Sequence, residues 1–367
     1  MIRKAFILWT AVLLAGVAAG AQTAMTNVPN RAAISLNGKW QFLVDIREAG
    51  YNTQAPYYKN LSPKSDSELI EYKFTDQQLL IVPGDWNSQD ARLDLYEGLV
   101  WYKRDFVHAG HADRRAFLYF GSANYKAEVW LNGQALGGHE GGFTPFQFEV
   151  TDKLREGQNF LVAAVNNRRS ADAVPGLQYD WWNYGGLTGD VFLIETPATY
   201  IEQAGVGLVK GSLTEAEVSV VLDGPARSGK AVTVTVPELS FKKTMLTNTE
   251  GKASFQFSGQ IKLWSPSDPH LYDIVISTSN ETLRDRVGFR SIEAKGEEIL
   301  LNGRPLFLRG ISMHEEVPQR RSRANGEADA RQLLGWAKEL GCNFVRLAHY
   351  PYHESFPRLA DEMGLLV

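Results

Sequence analysis

Cysteine is nearly missing: Cys342 is the single one in 367 residues. No intrachain disulfide can form, so the domains must be held by burial and not by the staples common in exported scaffolds. Cys342 lies in an apolar strand and reads as a buried small residue, not a nucleophile. An excess of one charge is missing as well. The 38 Lys and Arg against 42 Asp and Glu leave -4, which offers no basic field to nucleic acid. After Gly20 there is no apolar run long enough to span a bilayer. Metal spacing is also lacking. His349 and His353 are four apart, but Pro351 between them is incompatible with a helical ligand pair. No metal and no cofactor are expected. The glycine-rich run 137–142 contains no Lys and sits between strands, so it reads as a loop and not as a phosphate cradle.

What is present begins with a leader. Arg3 and Lys4 precede an apolar run from Ala5 to Ala19, and Ala19-Gly20-Ala21 is a small-residue cleavage site. The run is short for an anchor. Residues 1–21 are therefore expected to be a signal peptide, with the mature protein secreted or periplasmic. The 9 Trp and 14 Tyr suit stacking on sugars and suit β-sandwich cores equally well.

The pattern along the chain predicts a multidomain protein. Residues 22–198 show short strands with turn signals: Ser35 to Phe42, Arg115 to Phe120, Lys126 to Leu131, Phe146 to Val150 and Asn159 to Val165, with Asn132-Gly133 as a two-residue hairpin turn. This predicts a jelly-roll β-sandwich. Residues 199–290 form a second strand series of the length of an immunoglobulin-like β-sandwich. From 291 to 367 strands alternate with helices. Pro305 to Ile311 and Asn343 to Ala348 read as strands. Helical spacing runs from Ala330 to Leu340 and from Phe356 to Met363, and Leu365 to Val367 begins a third strand. This is the grammar of the first βα units of a (β/α)8 barrel, which needs about 250 residues in all. The expectation is an incomplete barrel, truncated relative to a parent protein.

Functional groups of such barrels sit at the C-terminal strand ends. His314 follows the first strand, and Arg346 and His349 end the second. A cation there is costly unless it faces a carboxylate. On spacing alone, a structural ion pair for Arg346 and a hydrogen-bonded loop residue for His349 weigh the same as a site.

Several motifs sharpen this. Asn343 to Pro351, Ala360 to Val367 and Gly310 to Glu315 resemble the barrel signatures of glycoside hydrolase family 2. Val82-Pro83-Gly84-Asp85-Trp86-Asn87, Val100 to Arg104 and Trp130 to Gly133 resemble its sugar-binding domain, and Leu263 to Pro266 with His270 to Tyr272 the end of its immunoglobulin-like domain. His139 to Phe146 and Asp180 to Gly186 are similar to the β-glucuronidase branch. The resemblance implies a retaining β-glycosidase acting on β-glucuronide- or β-galactoside-type sugars, with no cofactor. Two carboxylates about 5 Å apart would do the chemistry. By the family pattern they stand on later barrel strands, and Glu315, Glu316, Glu354 and Glu362 match neither. No catalytic residue is therefore expected in this chain. The resemblance implies that Asp180, His314 and His349 contact the sugar and that Arg346 supports the nucleophile. Leu347 and Pro357 depart from the pattern and weaken any inference about the particular sugar. The expected partner is a carbohydrate, with no nucleic acid and no membrane span after leader removal. Homo-oligomerisation of the parent is left open. The alternative is a non-catalytic carbohydrate-binding protein.

Overall fold

Alternation of buried and exposed side chains shapes the first two units of the computed structural model, which describes residues 24–62, 65, 72–110 and 113–367. The expected leader at 1–21 lies outside the described residues. In Leu79–Val82 and Lys252–Ser258 every second side chain is buried. Such strands pair antiparallel and need a second sheet over the apolar face.

The first unit supplies that second sheet. Its six-stranded sheet runs in the order Leu79–Val82, Gly38–Val44, Leu99–His108, Gly157–Asn166, Lys126–Leu131 and Gln134–Glu140. A four-stranded sheet of Ala33–Ser35, Val191–Pro197, Arg114–Phe120 and Phe146–Glu149 faces it. Trp40, Tyr102, Leu118, Phe120, Phe146 and Val165 fill the space between. This is the expected sandwich. The stretch from Ser35 to Phe42 is not one strand, however. It divides between the two sheets, and the chain crosses at Gly38, whose φ of 110° suits glycine. Asn132 and Gly133 have φ of 53° and 74° and join Lys126–Leu131 to Gln134–Glu140, as a type I′ turn requires. That turn folds the next residues back along the sheet. Residues 137–140 are consequently edge strand and not loop, a correction to the reading of the glycine-rich run.

The second unit packs Tyr200–Leu208, Glu215–Asp223 and Lys252–Ser258 against Phe241–Leu246, Ala231–Val236, Tyr272–Ser277 and Thr282–Val287. Val218, Val234, Phe255, Tyr272 and Phe289 form its core.

In the third unit Gly310–Met313 and Phe344–Leu347 pair in parallel, with Gly310 opposite Phe344 and Met313 opposite Leu347. Leu366 bridges to Phe344 in parallel on the other side. Helices α1 (Glu327–Glu339) and α2 (Ser355–Met363) cover one face. Ala330, Leu334, Val345, Phe356 and Leu359 are buried together there. The first strand begins later than its apolar run. Residues 306–309 are not strand, because the Asn343 side chain takes their hydrogen bonds, accepting from Arg309 N at 2.7 Å and donating to Phe307 O at 2.9 Å. Cys342 is buried in the turn before the second strand, not within it. No helix among the described residues is long and apolar enough to cross a membrane.

Trp264 joins the second unit to the third. It is fully buried, and its Nε1 donates to Asp361 O at 2.8 Å. Arg290 lies 4.5 Å over its ring and pairs with Asp361 at 2.7 Å. Gly288 permits this packing, since a Cβ there would come within 2.6 Å of the indole. Trp264→Ala is expected to cost about 3–5 kcal/mol through the cavity left at the junction. A denaturant titration of the full chain followed by circular dichroism measures it, and an unchanged midpoint would contradict this account of the junction.

Candidate functional site

Pairing of the two parallel strands brings their C-terminal ends side by side. His314 follows Met313 directly, and His349 stands two residues beyond Leu347. Alternation along Phe344–Leu347 buries Val345 against the helices and turns Arg346 to the exposed face. The first unit contributes Asp180, on the loop between Asn167 and Asp190. Buried asparagines anchor that loop. Asn167 Nδ2 donates to Asn183 O at 3.0 Å and Asn183 Nδ2 to Asn167 O at 2.7 Å. Asn124 Nδ2 donates to Tyr184 O at 2.5 Å, and Asn87 Oδ1 accepts from Gly185 N at 2.9 Å.

Three of the four residues singled out in the sequence converge. Asp180, His314 and His349 each place one oxygen or nitrogen within 4.8 Å of the others. Arg346 joins them through His349, with Nη2 3.0 Å from Nδ1. Among the described residues Arg346 forms no ion pair, so the structural ion pair considered for it is not what holds it. Trp181 forms the wall. Its ring centroid is 6.1 Å from that of His314, 5.7 Å from His349 and 5.4 Å from Tyr350. An indole beside carboxylate and imidazole groups is the combination that receives a sugar, with an apolar C–H face on the ring and hydroxyls on the polar atoms.

The same trio is the one group among the described residues with the makings of a metal site. Zinc binds nitrogen and oxygen at about 2.0–2.2 Å and takes three or four protein ligands, and this trio offers three atoms within 4.8 Å of one another. The Arg346 cation against His349, however, opposes a second positive charge. The arrangement suits hydroxyl groups better.

Behind this mouth lies a pair that sequence reasoning missed. Arg323 Nε donates to Glu315 Oε2 at 2.8 Å, with the two side chains 5% and 1% exposed. Arg323 Nη1 donates to Gly142 O at 3.2 Å and to Thr188 Oγ1 at 2.8 Å, both in the first unit. Its backbone N donates to Asp85 Oδ2 at 3.1 Å. Burial pushes the Asp85 carboxyl above the usual range. Phe143 and Tyr350, stacked 4.0 Å apart, carry the Arg323 guanidinium at 4.7 and 6.0 Å. Glu315 stands next to His314, and Tyr350 next to His349. Adjacency to the candidate residues was the one signal for them in the sequence. Trp181, next to Asp180, had the same signal.

A cavity of about 1190 Å³ lies elsewhere. It opens where the three units meet, lined by Asn27, Asp190, Asp285, His353, Glu354 and Arg358, and none of the four candidate residues borders it.

Three segments match one family. Residues 33–197 match the sugar binding domain of the glycosyl hydrolases family 2, residues 199–290 match the family description glycosyl hydrolases family 2, and residues 292–367 match its TIM barrel domain. A putative beta-glucuronidase of Formosa agariphila is 32% identical over 307 residues, covering 78% of this chain and 37% of its own. A beta-galactosidase of Thermoanaerobacter pseudethanolicus is 28% identical over 290 residues, 74% of this chain and 39% of its own. The structure of Bifidobacterium dentium beta-glucuronidase complexed with coumarin-3-O-glucuronide superposes with a TM-score of 0.78 at 26% identity, over 94% of this chain and 61% of that one. The chain thus spans less than two thirds of the length of each of these proteins.

His353 and Asp190 tie the third unit to the first at 2.9 Å, and Asn37 also donates to Asp190, at 2.8 Å. Burial disfavours both charges, yet the pair overcomes it, so the His353 pKa is raised and the Asp190 pKa lowered. The raised His353 contributes stability that is complete below its unfolded value of about 6.5 and is lost as pH rises through its folded value. The lowered Asp190 contributes stability present above its unfolded value of about 3.9 and lost as pH falls through its folded one. The denaturation midpoint of the full chain is expected to be higher at pH 5.5 than at pH 8.5, and His353→Gln should flatten that difference. A slope of equal size in the variant would assign the pH dependence to other groups.

Proposed function

Because the chain belongs to glycoside hydrolase family 2, we propose that it forms the sugar-gripping part of an exported, retaining β-glycosidase that removes terminal β-linked sugars, β-glucuronides ahead of β-galactosides. The observation that carries this reading is the convergence of Asp180, His314 and His349 beside Trp181 at two adjacent parallel strand ends. In it, Asp180 accepts hydrogen bonds from sugar hydroxyls, the two imidazoles bond to ring substituents, and Trp181 packs on the C–H face. Arg346 keeps guanidinium nitrogens free for a carboxylate. The acid/base and the nucleophile, about 5 Å apart in a retaining enzyme, are assigned to residues outside these 367. Export is assigned to residues 1–21. A protein that binds sugars in the same mouth without cleaving them is the rival.

The preference for glucuronide rests on the similarity of His139 to Phe146 and Asp180 to Gly186 to that branch. A uronic acid also needs a cationic or amide clamp, which is likewise assigned to residues outside this chain.

The test uses the 367-residue chain and a longer protein in which the same chain is extended through a complete family 2 barrel. On nitrophenyl β-glucuronide, β-galactoside, β-glucoside and β-mannoside, the chain alone is expected to give no turnover above buffer. The longer protein should favour glucuronide. Asp180→Ala in the longer protein should lower kcat/KM on every accepted sugar by about tenfold or more, since a hydrogen bond to a charged group is worth roughly 1.5–3 kcal/mol. Turnover by the chain alone, or galactoside far ahead of glucuronide, would overturn the corresponding part. A longer protein that binds these sugars without cleaving any would favour the rival.

A further inference from the structure

One contact in this mouth determines chemistry as well as position. Arg346 Nη2 lies 3.0 Å from His349 Nδ1. A guanidinium has five N–H donors and no acceptor. His349 Nδ1 must therefore accept, and to accept it must carry a lone pair. A neutral imidazole has one N–H, and with Nδ1 bare that proton stands on Nε2.

We infer that Arg346 is a positioning residue that holds His349 as the Nε2–H tautomer, so that the ring donates to a sugar hydroxyl oxygen whose own proton goes to Asp180. The inference rests on the proposed sugar-binding role of this mouth and adds which substituent it admits.

The partners are complementary. The Asp180 carboxylate accepts, the His349 Nε2–H donates, and an oxygen of Asp180 lies within 4.8 Å of a ring nitrogen of His349. A hydroxyl is both donor and acceptor, so it satisfies both groups at once. A deoxy position satisfies neither. A fluorine cannot donate to Asp180, and an ammonium cannot accept from His349. Each group left without its partner weakens binding, and that loss is what discriminates. The mouth is thus set for a sugar carrying a free hydroxyl at this position, and set against its amino, fluoro and deoxy counterparts.

His314 Nδ1 lies 4.0 Å from Glu316 Oε1, too far for a hydrogen bond, so no contact comparable to that of Arg346 with His349 fixes its tautomer.

Long-range proton–nitrogen correlation spectra of the full chain, with histidine labelled in nitrogen-15 and recorded at pH 8, read this directly. His349, assigned by its loss in His349→Asn, is expected to show a bare, pyridine-like Nδ1 and a protonated Nε2. Arg346→Met should shift it to a mixture of both tautomers, whereas Arg346→Gln keeps an N–H donor and should restore the Nε2–H form. Unshifted amide signals from the first sandwich certify that each variant is folded. A protonated Nδ1 in the parent sequence would overturn the inference, as would a methionine variant with the parent's spectrum; should that variant fail to fold, the parent and glutamine spectra still decide. These spectra need no turnover. A failed tautomer assignment leaves the proposed glycosidase standing, and a longer protein without glycosidase activity leaves the tautomer in place.

Discussion

The ion pair of Arg323 with Glu315 is the constraint on which the rest of the site depends. Both side chains are almost wholly buried. Such a pair gains little over apolar packing, yet losing one partner leaves an uncompensated charge at a cost of about 3–5 kcal/mol. Its value here is therefore in fixing geometry. Arg323 belongs to the two-residue strand Ser322–Arg323 ahead of α1, but its remaining donors end on Gly142 and Thr188 of the first sandwich. Glu315 uses its other oxygen to accept from His353 N at 2.6 Å. One buried pair thus orients the segments after both parallel strands and docks them on the first unit.

From that pair the order passes outward through rings. Phe143 and Tyr350 stack beside the Arg323 guanidinium, and Tyr350 in turn meets Trp181. Trp181 meets His314 and His349. Aromatic rings have few torsions and bury large areas, so they transmit position with little play. The exposed polar atoms of Asp180, His314 and His349 are consequently held by the rigid parts behind them, and they remain free to bond a ligand.

The sequence made the strands and helices legible where one physical rule dominated. Period-two burial marked Lys126–Leu131, and 3.6-residue spacing marked α1. Where a side chain competed for the backbone, the pattern misled. Asn343 takes the hydrogen bonds of residues 307 and 309, and an apolar run that reads as strand stays irregular until Gly310. Gly38 likewise divides an apparently continuous strand between two sheets. The convergence of His314 with His349 was legible because adjacent parallel strands end together. The approach of Asp180 followed only from family resemblance, since no local rule relates residue 180 to residue 349. Adjacency to His314 was the sole hint of Glu315, and nothing pointed to Arg323. A charged residue in a sequence reads as solvated, and burial of a charge shows only when its partner in the fold is known.

The candidate site therefore separates its charges by depth. Buried charges are matched within the protein: Glu315 to Arg323, and Asp190 to His353. The exposed ones at the mouth are matched incompletely. Arg346 meets a neutral ring nitrogen in place of a carboxylate, and Asp180 forms no ion pair among the described residues. An incompletely satisfied group gains more from a ligand than one already paired, because the ligand supplies the missing partner. The arrangement also explains why the mouth draws on two units. A hydroxyl bonded to Asp180 from the first sandwich and to His349 from the α/β unit bridges them, so binding a sugar should tighten the same junction that Arg323 holds from behind.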